Sequence, residues 1–185
     1  MMSAEFLLHL ARLAQAAPST IALTPAQWMA LRYFARANRA SRTPSAFSEF
    51  HATTRGTASQ TVKSLVEAGL LERSASDRDG RSVRFDVSPA GRAALSQDPL
   101  NALADVLSAL PETESRALLA RLQQVTAALA ERTSAPVFGT CGNCTHFART
   151  DEGSWCHCAQ SRIADLEIAS LCVQHRPGGP APERS

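Results

Sequence analysis

All five cysteines of the 185-residue chain lie between Cys141 and Cys172, behind 140 residues without a thiol. No run of apolar residues approaches the roughly 20 needed to span a bilayer. The opening stretch MMSAEFLLHLARL interrupts its apolar residues with Glu5, His9 and Arg12 and has no small-residue cleavage site. It reads as an amphipathic helix, not as a secretory signal. A cytoplasmic location is expected, and because disulfides do not persist there, the clustered thiols point to metal or redox chemistry. The expected organisation is a helical body followed by a small segment, residues 141–176, built around its cysteines.

The body can bury a core, since 44% of residues are hydrophobic and 19% charged. Phe6, Leu7, Leu10, Leu13 and Ala14 recur at helical spacing over residues 4–15. Thr24-Pro25, Thr43-Pro44 and Ser88-Pro89 are helix starts, each a capping hydroxyl followed by a proline whose missing N–H costs nothing in the first turn. They predict helices over about 25–38, 45–51 and 89–95. A further helix over about 57–68 places Ala58, Val62, Leu65 and Val66 on one face and ends at Gly69. The period then changes. Residues 70–73 and 82–87 read as two strands, the second alternating Val83, Phe85 and Val87, joined by a polar turn around Asp79-Gly80. Helical pattern returns over 100–110 and 112–132, where Leu118, Leu122, Val125 and Leu129 form a stripe suited to a partner-helix seam.

Helices followed by a two-stranded hairpin give the order of a winged helix-turn-helix. A helix that enters the major groove needs short polar groups on one face and apolar groups on the other. Residues 55–64 (RGTASQTVKS) meet that requirement, with Arg55, Thr57, Ser59, Gln60, Thr61, Lys63 and Ser64 as candidate DNA contacts. Arg78 and Arg81 at the hairpin tip suit phosphate or minor-groove contact. The charge distribution agrees: residues 1–92 carry 12 Arg or Lys against 7 Asp or Glu, and residues 93–185 carry 7 against 10.

Three stretches, LTPAQWMALRYFARA at 23–37, TVKSLVEAGLLER at 61–73 and DRDGRSVRFDVSPAGRAAL at 77–95, resemble the MarR family of winged-helix regulators. The resemblance covers most of residues 5–132. It implies a homodimer joined through the first and last helices, with one recognition helix in each half of a near-palindromic operator in double-stranded DNA. Such proteins are commonly repressors whose DNA affinity falls on ligand binding or oxidation. The stretch TPSAFSEFHATT at 43–54 departs from the family's usual third helix.

The cysteines offer Cys141-x2-Cys144, then Cys156 or Cys158, then Cys172. Two thiolates three residues apart on a tight turn bind one centre together. Cys158 leaves 13 residues on either side, whereas Cys156 leaves 11 and 15. The order with Cys158 is similar to the ligand spacing of high-potential iron–sulfur proteins, which also place an aromatic after the second cysteine and a tryptophan near the third, as Phe147 and Trp155 stand here. That resemblance favours Cys141, Cys144, Cys158 and Cys172 on a [4Fe–4S] cluster, with Cys156 as the alternative third ligand. Zinc (Zn2+) is the alternative metal, since His146, His157 and His175 stand near the cysteines, although a zinc ribbon uses two C-x2-C pairs and this chain has one.

The expected fold is therefore mainly α with a β wing: a winged helix-turn-helix, a long helical dimerisation region and a small cysteine-rich metal-binding segment. The boundaries are 1–22 for an N-terminal dimerisation helix, 23–90 for the DNA-binding domain, 91–133 for the C-terminal dimerisation helices, 134–140 for a linker, 141–176 for the cysteine segment and 177–185 for a disordered tail. The expected function is a dimeric, non-enzymatic regulator, without a membrane partner, whose operator affinity follows the redox or iron state of the cluster. If the cysteine segment packs against the last helices, it can shift the spacing of the recognition helices. One alternative is the same regulator with a structural zinc and a small-molecule effector between the dimer helices and the wing domain. Another is an iron–sulfur electron-transfer protein or enzyme on a helical scaffold. No catalytic dyad or phosphate-cradling loop stands in the sequence.

Overall fold

The computed structural model describes residues 2–16, 19–74, 83–136, 138–151 and 153–178. Among the described residues seven α-helices carry the body: α1 (Met2–Gln15), α2 (Pro25–Arg36), α3 (Pro44–Phe50), α4 (Arg55–Glu67), α5 (Pro89–Leu95), α6 (Leu100–Ser108) and α7 (Glu112–Thr133). Strands β1 (Leu71–Ser74) and β2 (Arg84–Val87) pair antiparallel with Leu71 opposite Val87 and Ser74 opposite Arg84. The turn joining them, which includes Arg78 and Arg81, lies outside the described residues.

The capping residues explain where the helices begin. Thr24 and Gln27 form a reciprocal capping box at α2, and the side chains of Thr43, Thr54 and Ser88 each accept the backbone N–H three residues on. Gly69, at φ 70°, takes the left-handed conformation that lets the chain leave α4 for the wing. A Cβ at Gly91 would collide with the Leu70 carbonyl, so only glycine lets α5 approach the start of the wing this closely.

One core joins these elements. Trp28, Leu31, Tyr33 and Phe34 of α2 meet Ala46 and Phe47 of α3, Val62 and Leu65 of α4, and Leu71, Phe85 and Val87 of the wing. The polar side of α4 is thereby turned outward. A bidentate ion pair fixes α2 to the start of α6: Arg32 Nε and Nη2 reach Asp98 at 2.5 and 2.7 Å, and Asp98 also accepts the Leu100 N–H at 2.8 Å. Asp98 is buried, so Asp98→Ala leaves the Arg32 charge without its partner. We expect a loss of about 3 kcal/mol in urea unfolding, with native-like helical content in the fraction that folds.

Helices α1, α6 and α7 keep almost all their apolar side chains in water. Only Ala14 of α1 and Ala130 of α7 are buried, while Phe6 is 68% and Val125 56% exposed. No helix among the described residues is long and apolar enough to cross a membrane.

The cysteine segment has a fold of its own: a 3-10 turn at Cys141–Asn143, an antiparallel sheet in the order β3 (Phe147–Thr150), β4 (Gly153–Cys156), β5 (Ser161–Arg162), and a second 3-10 turn at Asp165–Glu167. Two expected boundaries move. The 134–140 stretch is not a loose linker, because Phe138 meets Phe50 edge to face at 4.8 Å and Gly139 bridges to Cys172. Pro177 and Gly178 belong to the segment through backbone contacts to Cys144 and Asn143, and the remainder of the expected tail lies outside the described residues. The segment docks on the α2–α3 turn, where its Leu171 pairs in parallel with Ala37.

Candidate functional site

Two sites take shape, one on α4 and one among the cysteines. On α4, Arg55, Thr57, Ser59, Gln60 and Lys63 are exposed. Ala58, Val62 and Leu65 occupy the opposite, buried face, so the helix has the two-sided character that groove insertion requires. Thr57 Oγ1 lies 2.8 Å from Thr54 Oγ1, and Lys63 lies 3.7 Å from Glu67, a loose surface pair that leaves the ammonium available to a phosphate. Thr61 and Ser64 are half-buried. Thr61 donates to the Thr57 carbonyl at 3.0 Å. Ser64 Oγ accepts from Gln27 Nε2 at 3.0 Å and donates to the Thr61 carbonyl at 2.8 Å, so it ties α4 to α2 instead of facing outward. The two-faced pattern of residues 55–64 could not reveal that bond, which spans 37 positions.

The five cysteines line a single cavity of about 650 Å³ between the segment and the winged-helix domain. Asn38, Arg39, Ala40 and Arg84 form its domain side, and Arg162, Glu167, His146 and Phe147 complete the segment side. Cys141 and Cys172 are buried, Cys144 and Cys156 half-buried, and Cys158 exposed. Burial pushes the Cys141 thiol up to about 11, and the neighbouring Cys172, Cys156 and Cys144 add to the shift. Cys172 is also raised by burial and by Cys144 and Cys156, against hydrogen bonds from the Asn38 side chain and the Gln174 backbone. Cys141 thus feels the thiols of Cys172, Cys156 and Cys144, and Cys172 those of Cys144 and Cys156.

Strand β4 explains the difference in burial between Cys156 and Cys158. Cys156 is its last residue, held opposite Phe147 of β3, and its sulfur accepts the Ala159 N–H at 3.4 Å. Cys158 falls in the turn beyond the strand, 3.4 Å from Gln174 Oε1 at the cavity mouth. Cys158, the third residue favoured by spacing, and Cys156, its alternative, both line the cavity, Cys156 half-buried and Cys158 exposed. Of the three nearby histidines, His146 lines the cavity and His157 is exposed. His175 packs its ring against Gly139, and its Nε2 pairs with Asn143 at 3.0 Å.

Among the described residues, no three His, Cys, Asp or Glu side chains converge closely enough to share one metal ion. A tetrahedral zinc would draw its sulfurs to within ~3.8 Å of one another. A cube-shaped cluster sets each thiolate on a different iron and spaces them more widely. The cavity wall that carries the thiols also carries Arg39, Arg84 and Arg162.

The cleft beside α1 holds a smaller cavity of about 170 Å³, lined in part by Gln15, Leu23, Trp28 and Arg32. That is below the roughly 300 Å³ at which small-molecule sites begin.

Residues 23–82 match the model of the MarR family. This is the stretch that holds α2, α3, α4 and β1 and reaches into the wing turn. The fold is similar to a MarR transcriptional regulator from Methanosarcina mazei at 17% identity, with 70% of this chain and 97% of that chain covered and a TM-score of 0.56. It is also similar to MepR of S. aureus in its complex with DNA, at 18% identity, covering 70% and 98%, with a TM-score of 0.54. No curated protein matches the chain significantly. At such identities the likeness establishes a MarR-type winged-helix fold.

Proposed function

We propose that the chain is a DNA-binding transcriptional regulator, a dimeric repressor whose operator affinity is set by a [4Fe–4S] cluster on Cys141, Cys144, Cys156 and Cys172. The observation that carries the DNA-binding reading is the exposed polar face of α4 beside the wing, within the stretch that matches the MarR family. The MarR family is one of transcription regulators, not of enzymes. The MepR structure named above holds DNA on the same fold.

The cluster reading rests on the thiols that line one cavity, with Cys141 and Cys172 buried and Cys144 and Cys156 half-buried, on the width of that cavity and on its arginines. Loading such a site removes protons from buried thiols that are otherwise neutral, so binding of the centre and local folding are coupled. Anaerobically purified protein should be brown, with iron and acid-labile sulfide, and should bind duplex DNA with a steep salt dependence. A colourless protein with one zinc per chain would replace the cluster with a structural metal and leave the DNA-binding reading standing.

The second copy covers the apolar side chains of α1 and α7, including Phe6, Leu10, Leu118, Leu122 and Leu129, which a single chain leaves in water. We expect Leu118→Asp combined with Leu122→Asp to turn a dimer into a monomer in sedimentation and to weaken binding to a two-half-site duplex more than to a single half-site.

A further inference from the structure

The stretch around Cys172 is bonded to the DNA-binding domain on both sides. Leu171 donates its N–H to the Arg36 carbonyl at 2.8 Å and accepts the Asn38 N–H at 2.8 Å. Val173 donates to Ser41 Oγ at 2.9 Å. Ser41 is fully buried, and its carbonyl accepts the Tyr33 hydroxyl at 2.8 Å, so the turn between α2 and α3 has no slack of its own. A second tie runs through Glu167, which accepts the Arg39 N–H at 3.0 Å and lies 3.8 Å from Arg42. Arg42 in turn holds Asp86 of β2 at 2.6 Å, donates from Nε to the Ala37 carbonyl at 2.9 Å, and offers its own carbonyl to the Phe85 N–H at 3.0 Å.

Both DNA-facing elements hang from this turn. Helix α3, which follows it, packs on α4, and β2 forms one side of the wing. A ligand residue flanked by two such bonds cannot be drawn toward a centre, or released from it, without moving the turn.

Resting on the cluster reading above, we infer that the α2–α3 turn, residues 36–42, is the transmission element between the cysteine centre and the DNA-binding surface. Leu171 and Val173 carry the displacement of Cys172 to the turn and α3, and Glu167 with Arg42 carries it to Asp86 in the wing. The route bypasses α7 and the dimer helices. It also accounts for the early end of α2, which stops at Arg36 where the chain turns to pair with Leu171.

The test uses full-length protein, unchanged and as Ser41→Ala with Glu167→Gln. Each form is assayed for iron and sulfide and for helical content. Its affinity is then measured, cluster-loaded and cluster-stripped, for a duplex that the unchanged protein enriches from a random-sequence library. In the unchanged protein the loaded and stripped affinities should differ on the order of fivefold to a hundredfold. In the double variant, with its centre and helices intact, the ratio should fall toward one. A full ratio in that variant overturns the inference and leaves cluster sensing standing. Loss of the centre in the variant also overturns it, because the two residues would then serve the cluster and not the turn. A ratio of one in the unchanged protein refutes sensing itself.

Discussion

Cys156→Ser should abolish the iron–sulfur chromophore of the proposed centre, and Cys158→Ser should leave it in place. The asymmetry is expected because Cys156 closes strand β4 half-buried in the cavity wall, whereas exposed Cys158 sits in the next turn with its sulfur at Gln174. A four-cysteine centre deprived of one thiolate loses iron in most settings, so iron and sulfide in Cys156→Ser should fall to near zero under anaerobic purification. Cys158→Ser should retain the full content. Thiol labelling of metal-free protein gives the same division: exposed Cys158 should react first with an alkylating reagent, and buried Cys141 and Cys172 last. Retained iron in Cys156→Ser together with its loss in Cys158→Ser would restore the ligand set that spacing alone favours.

Gln60→Ala and Arg55→Ala should each weaken binding to the selected duplex by about 1–3 kcal/mol, and Gln60→Ala should also relax base preference. Both side chains lie on the exposed face of α4, opposite Ala58, Val62 and Leu65. Lys63→Ala should instead weaken all sequences alike and lower the salt slope by about one, the behaviour of a phosphate contact. Ser64→Ala serves as the contrast. Its hydroxyl is engaged by Gln27, so its removal should leave base preference unchanged. These measurements need only fluorescence anisotropy with a labelled duplex at several salt concentrations.

The helices that were legible in the sequence are those whose start is written in adjacent residues. Thr24-Pro25, Thr43-Pro44 and Ser88-Pro89 each mark a helix that begins at the proline. Helix α4 begins at Arg55, before the expected 57, because its cap, Thr54, has no proline behind it to mark the boundary. The wing strands were legible from the alternation of Phe85 and Val87 around an Asp-Gly turn, shifted by a residue or two at their ends.

The cysteine site was half legible. Clustering of thiols shows that a centre exists to be sought, but choosing between Cys156 and Cys158 depends on where β4 ends, and residue gaps carry no record of a hairpin. The docking of the segment was not legible at all. It rests on backbone bonds between positions such as Asn38 and Leu171, and on Glu167 reaching Arg39 across 128 residues, where neither partner has an unusual local setting. Phe138 gave no warning either, since an aromatic in a Pro/Gly-containing stretch looks like a linker residue until Phe50 is found beneath it.

The account stands or falls on whether the centre and the DNA compete for the same conformational equilibrium. The direct measurement is the affinity of one protein preparation for its selected duplex before and after the centre is removed by oxidation and chelation, with iron, sulfide and zinc counted on both samples. The account predicts four-iron stoichiometry with matching sulfide in the first sample and a shift in affinity of fivefold or more on removal. Equal affinities in samples that differ by a full cluster would contradict it.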